Sequence, residues 1–229
     1  MSGRDIEIST PDGAAYQVHL VGETGAPRPA LIIYSTVFGV DADMKKMAER
    51  WAARGFVVAL PDYYHRIAPG VRERNDAGRA EARARWRDLD VDGTMRDLEA
   101  LTAHLKTSPH CNGRMMALGF CAGGELAFLS ALRLGVQAAA AYHGTRVERH
   151  LDEAKRLKVP VTLHYGDNDD TIPMGVVEVI QKGLADQKLV DIHVYPEAVH
   201  GFSVPGRAQY NEPAAVASDA RAQAVFAAA

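Results

Sequence analysis

The sequence predicts an α/β fold with a mostly parallel central sheet and helices on both faces. Apolar runs at residues 30–35 and 56–60 are typical of strands buried on both faces, and residues 136–142 form a further predicted strand of small residues. Segments with apolar residues at helical spacing separate these runs. Neither a repeat nor a low-complexity linker interrupts the alternation of strands and helices. We therefore expect a single domain that spans residues 1–229.

Composition and charge are those of an ordinary globular protein. Hydrophobic residues make up 47% of the chain and charged residues 24%, and the net charge of −3 is spread along the sequence. No overall field would recruit nucleic acid or an anionic membrane. No apolar run approaches the length of a membrane span, and residues 1–5 lack the apolar segment of a signal peptide. We expect a cytoplasmic protein without nucleic-acid or membrane partners.

The chain has only two cysteines, Cys111 and Cys121. Two cysteines do not form a disulfide framework, and no cluster of cysteine and histidine has the spacing of a metal site. We expect no metal and no cofactor. Cys111 lies in a Pro-His-Cys-Asn-Gly segment typical of a loop, so we expect it to be inert.

The first half of the chain predicts a hairpin followed by a strand, helix and strand. Residues 6–10 and 15–21 alternate roughly between apolar and polar around a Pro-Asp-Gly turn, which indicates an antiparallel hairpin at a sheet edge. After the buried run at 30–35, residues 41–54 have helical spacing and end at Gly55.

A polar segment at residues 72–88 carries six arginines among acidic residues. Such a run is usually a solvated helix face. The functional alternative is that one or two arginines turn inward and hold a substrate carboxylate, which guanidinium matches with two parallel hydrogen bonds. The run alone favours the solvated face. A clearer helix follows at residues 92–105.

The second half continues the same alternation. After the strand of small residues at 136–142 we expect these elements: a polar helix to Lys158, a strand at 159–166, an amphipathic helix at 174–187, a strand at 190–195 and an Ala-rich helix from Pro213. His164, inside a buried strand, is expected to be a hydrogen-bonded core residue.

Residues 114–132 read as strand, tight turn and helix, with Cys121 at the turn. Small residues two before and two after the cysteine (Gly119 and Gly123) match a nucleophile elbow, in which strand and helix pack closely around an exposed side chain. A helix N-terminus favours thiolate over thiol, and the N–H of Ala122 is available to a developing oxyanion. The alternative is that Cys121 is a small buried hydrophobe.

Three reactive groups follow successive predicted strands in the order Cys121, an aspartate within 167–170, and His200. Nucleophile, acid and histidine is the chain order of α/β-hydrolases. Histidine, with a pKa near neutral, can take and return a proton, and a carboxylate fixes its tautomer. This predicts nucleophilic catalysis at the carboxyl edge of the sheet.

These motifs, together with Val37-Phe38-Gly39-Val40, Pro61-Asp62-Tyr63-Tyr64 and the stretches at 164–173 and 195–202, resemble the dienelactone hydrolase family, α/β-hydrolases with a cysteine nucleophile. The resemblance covers nearly the whole chain. It implies that the catalytic acid is Asp169, four residues before Pro173, and that the N–H groups of Val37 and Ala122 form the oxyanion hole.

The resemblance also implies a substrate class, a small-molecule ester or lactone that is carboxylated in the dienelactone-cleaving members. Those members have a glutamate where this chain has Thr36, and a threonine hydroxyl cannot serve as a carboxylate base at neutral pH. The expected substrate-binding residues, by position, are Thr36, Phe38, Arg79, Trp86 and Arg207.

Two other functions were weighed against a hydrolase. Class I glutaminases share the G-x-C-x-G turn but carry a glutamate two residues after the histidine, where this chain has Phe202. A non-catalytic α/β-hydrolase fold that binds a small molecule is the remaining alternative, with Thr36 as a sign of relaxed chemistry.

Overall fold

The computed structural model describes residues 3–229. Met1 and Ser2, part of the N-terminus on which the localisation prediction depends, lie outside the described residues. Within residues 3–229 the chain forms eight strands and six α-helices. These elements divide between two compact units, Met1–Met116 and Ala117–Ala229. The expectation of a single domain stays a prediction.

The first unit contains a hairpin and two strands separated by a helix. Its strands are ordered β1-β2-β4-β3, with β1 and β2 antiparallel as predicted and β3 and β4 parallel. The elements are β1 (Arg4–Ser9), β2 (Ala15–Val21), β3 (Arg28–Tyr34), α1 (Ala42–Ala52), β4 (Val57–Pro61), α2 (Asp76–Arg87) and α3 (Val91–Thr107).

Local chemistry explains where these elements begin and end. All five residues of β4 are buried, as its continuous apolar run predicts. Each of the three helices begins at a polar residue whose side chain accepts a hydrogen bond from a backbone N–H two or three residues into the helix: Asp41, Asn75 and Asp90. In α1, Met44, Met47 and Trp51 form the buried stripe that the spacing predicts.

The strand β5 (Cys111–Phe120) begins in the first unit and ends in the second. In the second unit the strands are ordered β5-β6-β7-β8, and β6, β7 and β8 are parallel. The carboxyl ends of parallel strands meet at one edge of a sheet, where α/β proteins place their sites. The remaining elements are α4 (Ala122–Arg133), β6 (Ala138–Tyr142), β7 (Val161–Gly166), α5 (Met174–Gly183), β8 (Val190–Tyr195) and α6 (Glu212–Ala228).

The predicted polar helix to Lys158 is wrong. The segment forms two short 3₁₀ helices instead, Val147–His150 and Glu153–Arg156. Side chains tie it to α4, because His150 Nε2 lies 2.8 Å from a carboxylate oxygen of Glu125 and Arg133 Nε donates to Glu153 at 3.1 Å. These side-chain hydrogen bonds give the polar side chains of the segment partners that do not depend on an α-helix.

Two kinds of feature are absent from residues 3–229, a membrane-spanning helix and a metal-binding cluster. No helix in residues 3–229 is long and apolar enough to cross a bilayer. In the same residues no group of three or more histidine, cysteine, aspartate or glutamate side chains could hold a metal ion. Cytoplasmic localisation stays a prediction. Cys111, the first residue of β5, is half-buried, and burial raises the pKa of its thiol.

Candidate active site

Cys121 lies at the turn between β5 and α4, as the sequence predicts. Its backbone N–H donates to the Tyr142 carbonyl at 3.1 Å, and its own carbonyl accepts from the Thr145 N–H at 3.1 Å. The turn is tight enough that a Cβ on Gly119 would lie 2.0 Å from the Gly123 carbonyl oxygen. The segment after β6 therefore holds the cysteine backbone on both sides, and Gly119 has to be glycine.

The backbone at Cys121 is in an unfavourable conformation, with φ 55° and ψ −116°. A non-glycine residue with positive φ costs of order 1–3 kcal/mol and persists only where surrounding contacts impose it. Ala122 is the first residue of α4 and is buried. The first N–H groups of a helix have no partner within the helix, so the cysteine precedes a turn of available donors.

Asp169 follows β7 and is 4% exposed. Its Oδ1 accepts hydrogen bonds from the N–H groups of Thr171 at 2.8 Å and Ile172 at 2.9 Å, and its Oδ2 lies 2.8 Å from Nδ1 of His200. Asp167 instead accepts from a backbone N–H in the loop after β8, and Asp170 is exposed. Among the acids considered for this role, Asp169 is therefore the partner of His200.

His200 lies in the loop after β8, and 23% of its side chain is exposed. Burial lowers its pKa, but the negative charge of Cys121 and the hydrogen bonds with Asp169 and Cys121 outweigh burial and raise the pKa to about 10. Nε2 is buried, and in residues 3–229 it has no nitrogen or oxygen partner. The largest contribution that raises the pKa of His200 is the charge of Cys121, as expected for a thiolate beside an imidazolium.

A second histidine, which the sequence analysis did not single out, lies against His200. His143 is 1% exposed, and its ring centroid lies 4.7 Å from that of His200 with the rings at 62°. Its Nε2 lies 3.1 Å from the Ser203 hydroxyl. Burial, followed by the charges of His200 and Arg207, holds the pKa of His143 well below the usual value. His143 is thus a neutral neighbour of a charged histidine. Its position directly after a parallel strand was the available signal.

Thr36, Val37 and Phe38 follow β3 in the first unit. Thr36 is 3% exposed, and its hydroxyl accepts a hydrogen bond from the Phe38 N–H at 3.3 Å. The Thr36 carbonyl accepts from the Gly39 N–H at 3.0 Å, and the Tyr63 hydroxyl, which donates to the Ser35 carbonyl at 2.7 Å, lies 3.4 Å from the Thr36 carbonyl. The hydroxyl and the carbonyl of Thr36 therefore bind backbone N–H groups of the loop that contains it.

The predicted carboxylate-binding residues have different environments. Arg79 is exposed on α2, and its Nε donates to the Arg74 carbonyl at 3.0 Å. Trp86, in the last turn of α2, and Arg207, in the loop before α6, are both half-buried. Their roles in binding stay predictions.

One arginine of the polar segment does turn inward. Arg85 is 2% exposed, and its guanidinium donates to the carbonyls of Val37, Ala68 and Gly70. The other arginines of α2 are exposed, as the solvated-face interpretation predicts. The inward arginine of the sequence analysis is a partner of a substrate carboxylate, whereas Arg85 binds backbone carbonyls. The sequence pattern does not single out Arg85.

Comparison with known proteins decides the family. The model of the dienelactone hydrolase family matches residues 16–229. The chain belongs to the dienelactone hydrolase family. Among curated relatives, the carboxymethylenebutenolidase of Pseudomonas putida is 30% identical over 218 residues, which cover 94% of this chain and 92% of the relative. The carboxymethylenebutenolidase of Rhodococcus opacus is 29% identical over 211 residues, covering 88% and 80%.

Solved structures agree with this family assignment. A candidate dienelactone hydrolase from Klebsiella pneumoniae is 25% identical with a TM-score of 0.85, covering 99% of both chains. An esterase of Pyrococcus furiosus, 15% identical with a TM-score of 0.71 over 99% of this chain and 91% of its own, shares the fold. The predicted α/β-hydrolase fold is confirmed, and this member of the dienelactone hydrolase family is a hydrolase of the ester and lactone class.

Proposed function

We propose that this protein hydrolyses carboxylic esters or lactones with Cys121 as the nucleophile, through an acyl-enzyme. The observation that carries the proposal is the state of His200, which is hydrogen-bonded to Asp169 at 2.8 Å and carries a pKa raised to about 10 beside the Cys121 sulfur. A thiolate paired with an imidazolium is the reactive form of a cysteine nucleophile.

In the proposed first half-reaction, the Cys121 thiolate attacks the substrate carbonyl carbon and the carbonyl oxygen becomes an oxyanion. The N–H groups of Ala122 and Val37 donate hydrogen bonds to that oxygen. When the tetrahedral intermediate collapses, the carbon–oxygen bond to the leaving group breaks and the imidazolium of His200 gives its proton to the departing alkoxide. A thioester on Cys121 remains.

In the second half-reaction, neutral His200 takes a proton from water as the water oxygen attacks the thioester. The second tetrahedral intermediate releases the carboxylic acid and returns the thiolate and the imidazolium. Asp169 holds Nδ1 of His200 throughout, which keeps Nε2 directed to the reacting atoms and stabilises the charged ring. Neither half-reaction requires a metal or a cofactor.

The proposed substrate is a small ester or lactone, and a carboxylate on it is the finer expectation. The curated relatives are named carboxymethylenebutenolidases, and Arg79 and Arg207 are the candidate partners of a carboxylate. Thr36 argues against dienelactone as the preferred substrate. Its hydroxyl accepts a hydrogen bond from the Phe38 N–H and cannot act as a carboxylate base. Phe38 and Trp86 are proposed to line the pocket.

The test is steady-state hydrolysis of p-nitrophenyl acetate and of a carboxylated dienelactone by wild type, Cys121→Ala and Thr36→Glu, with mass spectrometry of the acylated protein. We expect wild type to cleave the simple ester with an acyl adduct on Cys121, and Cys121→Ala to be inactive. Dienelactone turnover should be low until Thr36→Glu restores a carboxylate. If wild type cleaves neither compound and Cys121 resists acylation, the proposal fails and a small-molecule binding protein becomes the better interpretation.

A further inference from the structure

Arg85 is a buried cation whose hydrogen bonds go to backbone carbonyls rather than to a carboxylate. It is 2% exposed, and within residues 3–229 no aspartate or glutamate lies within ion-pair distance of its guanidinium. Burial lowers its pKa, as expected for a charge moved out of water. Burying a charge without an opposite charge is costly, and such groups are rare without a specific task.

The guanidinium donates four hydrogen bonds, all to backbone carbonyls. Nε and Nη2 donate to the Val37 carbonyl at 3.1 and 2.8 Å. Nη1 donates to the carbonyls of Ala68 at 2.8 Å and Gly70 at 2.7 Å. The face of the guanidinium lies 4.1 Å over the ring of Tyr64, which adds a cation–π contact. Arg85 therefore links the loop after β3 to the loop that follows β4.

Two consecutive peptide groups of the loop after β3 are fixed by these contacts. The Thr36 carbonyl accepts from the Gly39 N–H, with the Tyr63 hydroxyl 3.4 Å away, and the Val37 carbonyl accepts from Arg85. In a trans peptide the C=O and the following N–H point in opposite directions. The Val37 N–H is therefore turned away from Gly39 and Tyr63, and Arg85 fixes the next peptide plane.

The loop has little room to relax around Arg85. Gly39 has φ 84°, and a Cβ added there would lie 2.8 Å from the Gly70 carbonyl oxygen and 3.0 Å from Nη2 of Arg85. The loop thus packs directly on the guanidinium and on the carbonyl that the guanidinium holds. Loss of Arg85 would remove the donors that hold the carbonyls of Val37, Ala68 and Gly70, and the peptide after Val37 would keep only the 3.3 Å hydrogen bond from the Phe38 N–H to the Thr36 hydroxyl.

We propose that Arg85 is a positioning residue for the oxyanion donor, the N–H of Val37. The proposal rests on the proposed function, in which Val37 and Ala122 together stabilise the oxyanion. The planar, forked guanidinium is required for this role. Two of its nitrogens donate to the Val37 carbonyl, while the third donates to the carbonyls of Ala68 and Gly70. A lysine at this position would keep the charge but lose the fork.

The test compares Arg85→Met and Arg85→Lys with Arg87→Met, a matched control on the same helix whose guanidinium is exposed and pairs with the neighbouring Asp88. For each protein, kcat and KM for p-nitrophenyl acetate are measured per molecule that iodoacetamide can alkylate at Cys121. Removal of an oxyanion donor costs about 10²–10³ in kcat, so a misplaced donor should cost roughly 10-fold or more. We expect that loss in both Arg85 variants, with KM within about twofold of wild type and no loss in Arg87→Met.

Alkylation of Cys121 needs a thiolate but no oxyanion donor, so its rate constant should stay within about twofold of wild type. A purely structural role would lower the thermal midpoint but leave kcat per alkylatable site unchanged, and that result would overturn the proposal. If neither Arg85 variant folds, Tyr63→Phe, which removes the hydroxyl that donates to the Ser35 carbonyl at 2.7 Å and lies 3.4 Å from the Thr36 carbonyl, must lower kcat in the same way, and an unchanged kcat there would refute the proposal. Failure of the proposed function would show separately, as wild-type activity that survives Cys121→Ala.

Discussion

Replacement of Asp169 by asparagine tests the catalytic assignment most directly. An asparagine keeps Oδ1, which must stay on the N–H groups of Thr171 and Ile172, so its NH₂ group faces Nδ1 of His200. Two donors cannot share a hydrogen bond, so the imidazolium is disfavoured and the neutral ring keeps its proton on Nε2. Nε2 can then no longer take the proton of Cys121, and the thiolate–imidazolium pair of the proposed mechanism does not form.

The magnitude follows from two losses. The bond from His200 Nδ1 to Asp169 Oδ2 is charge-assisted, and such bonds contribute about 1.5–3 kcal/mol. The wrong tautomer adds to this, and the equivalent asparagine substitution in serine proteases costs about 10⁴ in kcat. We expect kcat of Asp169→Asn to fall by roughly 10³- to 10⁴-fold, while KM changes little.

The pH profile gives a second readout with a defined sign. Protonated His200 is required to expel the leaving group, and its pKa is raised to about 10, so wild-type kcat/KM should fall only as the pH rises through about 10. Asp169→Asn removes a contribution that raises the pKa, so its alkaline limb should move to lower pH. Asp170→Asn, at an exposed neighbouring position, is the control and should match wild type. Equal activity of Asp169→Asn and Asp170→Asn would refute the assignment.

Three further predictions concern the same unit. In Cys121→Ala, burial is no longer opposed by the thiolate, so the pKa of His200 measured by NMR should fall well below about 10, and an unchanged value would contradict the ion pair. Gly119→Ala places a Cβ 2.0 Å from a carbonyl oxygen and should lower the free energy of unfolding in urea by about 1–3 kcal/mol or more, whereas little change would show that the elbow can relax. His143→Phe keeps a ring beside His200 but loses the hydrogen bond to Ser203. Such a bond contributes about 1 kcal/mol, so kcat should fall about 3- to 10-fold. Ser203→Ala removes the same hydrogen bond and should lower kcat equally, and an unchanged kcat in Ser203→Ala would show that the bond has no role.

The regular elements of the fold were predictable because local patterns determine them. The strand at 190–195 was predicted from its alternation and has those bounds in the structure. The cysteine, the aspartate and the histidine proposed for catalysis were predictable as candidates because each follows a predicted strand and because their chain order is distinctive, and their catalytic roles stay predictions. The segment before Lys158 was mispredicted because its polar side chains bind residues of α4, and local propensity does not record such contacts.

Arg85 shows a different limit of sequence reasoning. Its hydrogen-bond partners are carbonyls 15 to 48 residues away, and a carbonyl is present at every residue, so no side-chain pattern marks them. From its neighbours in the polar segment, Arg85 is indistinguishable from the exposed Arg87. Only the folded backbone brings the three carbonyls to one point. The sequence pattern therefore indicates that an arginine of this segment could turn inward but not which one.

The positive φ at Cys121 has a consequence for how the protein can evolve. Glycine adopts this conformation freely, so a change from cysteine to glycine would relieve backbone strain at the same time as it abolished the nucleophile. Under the proposed function, stability and activity therefore make opposite demands on residue 121, and a stabilised variant of this protein should gain its stability at other positions.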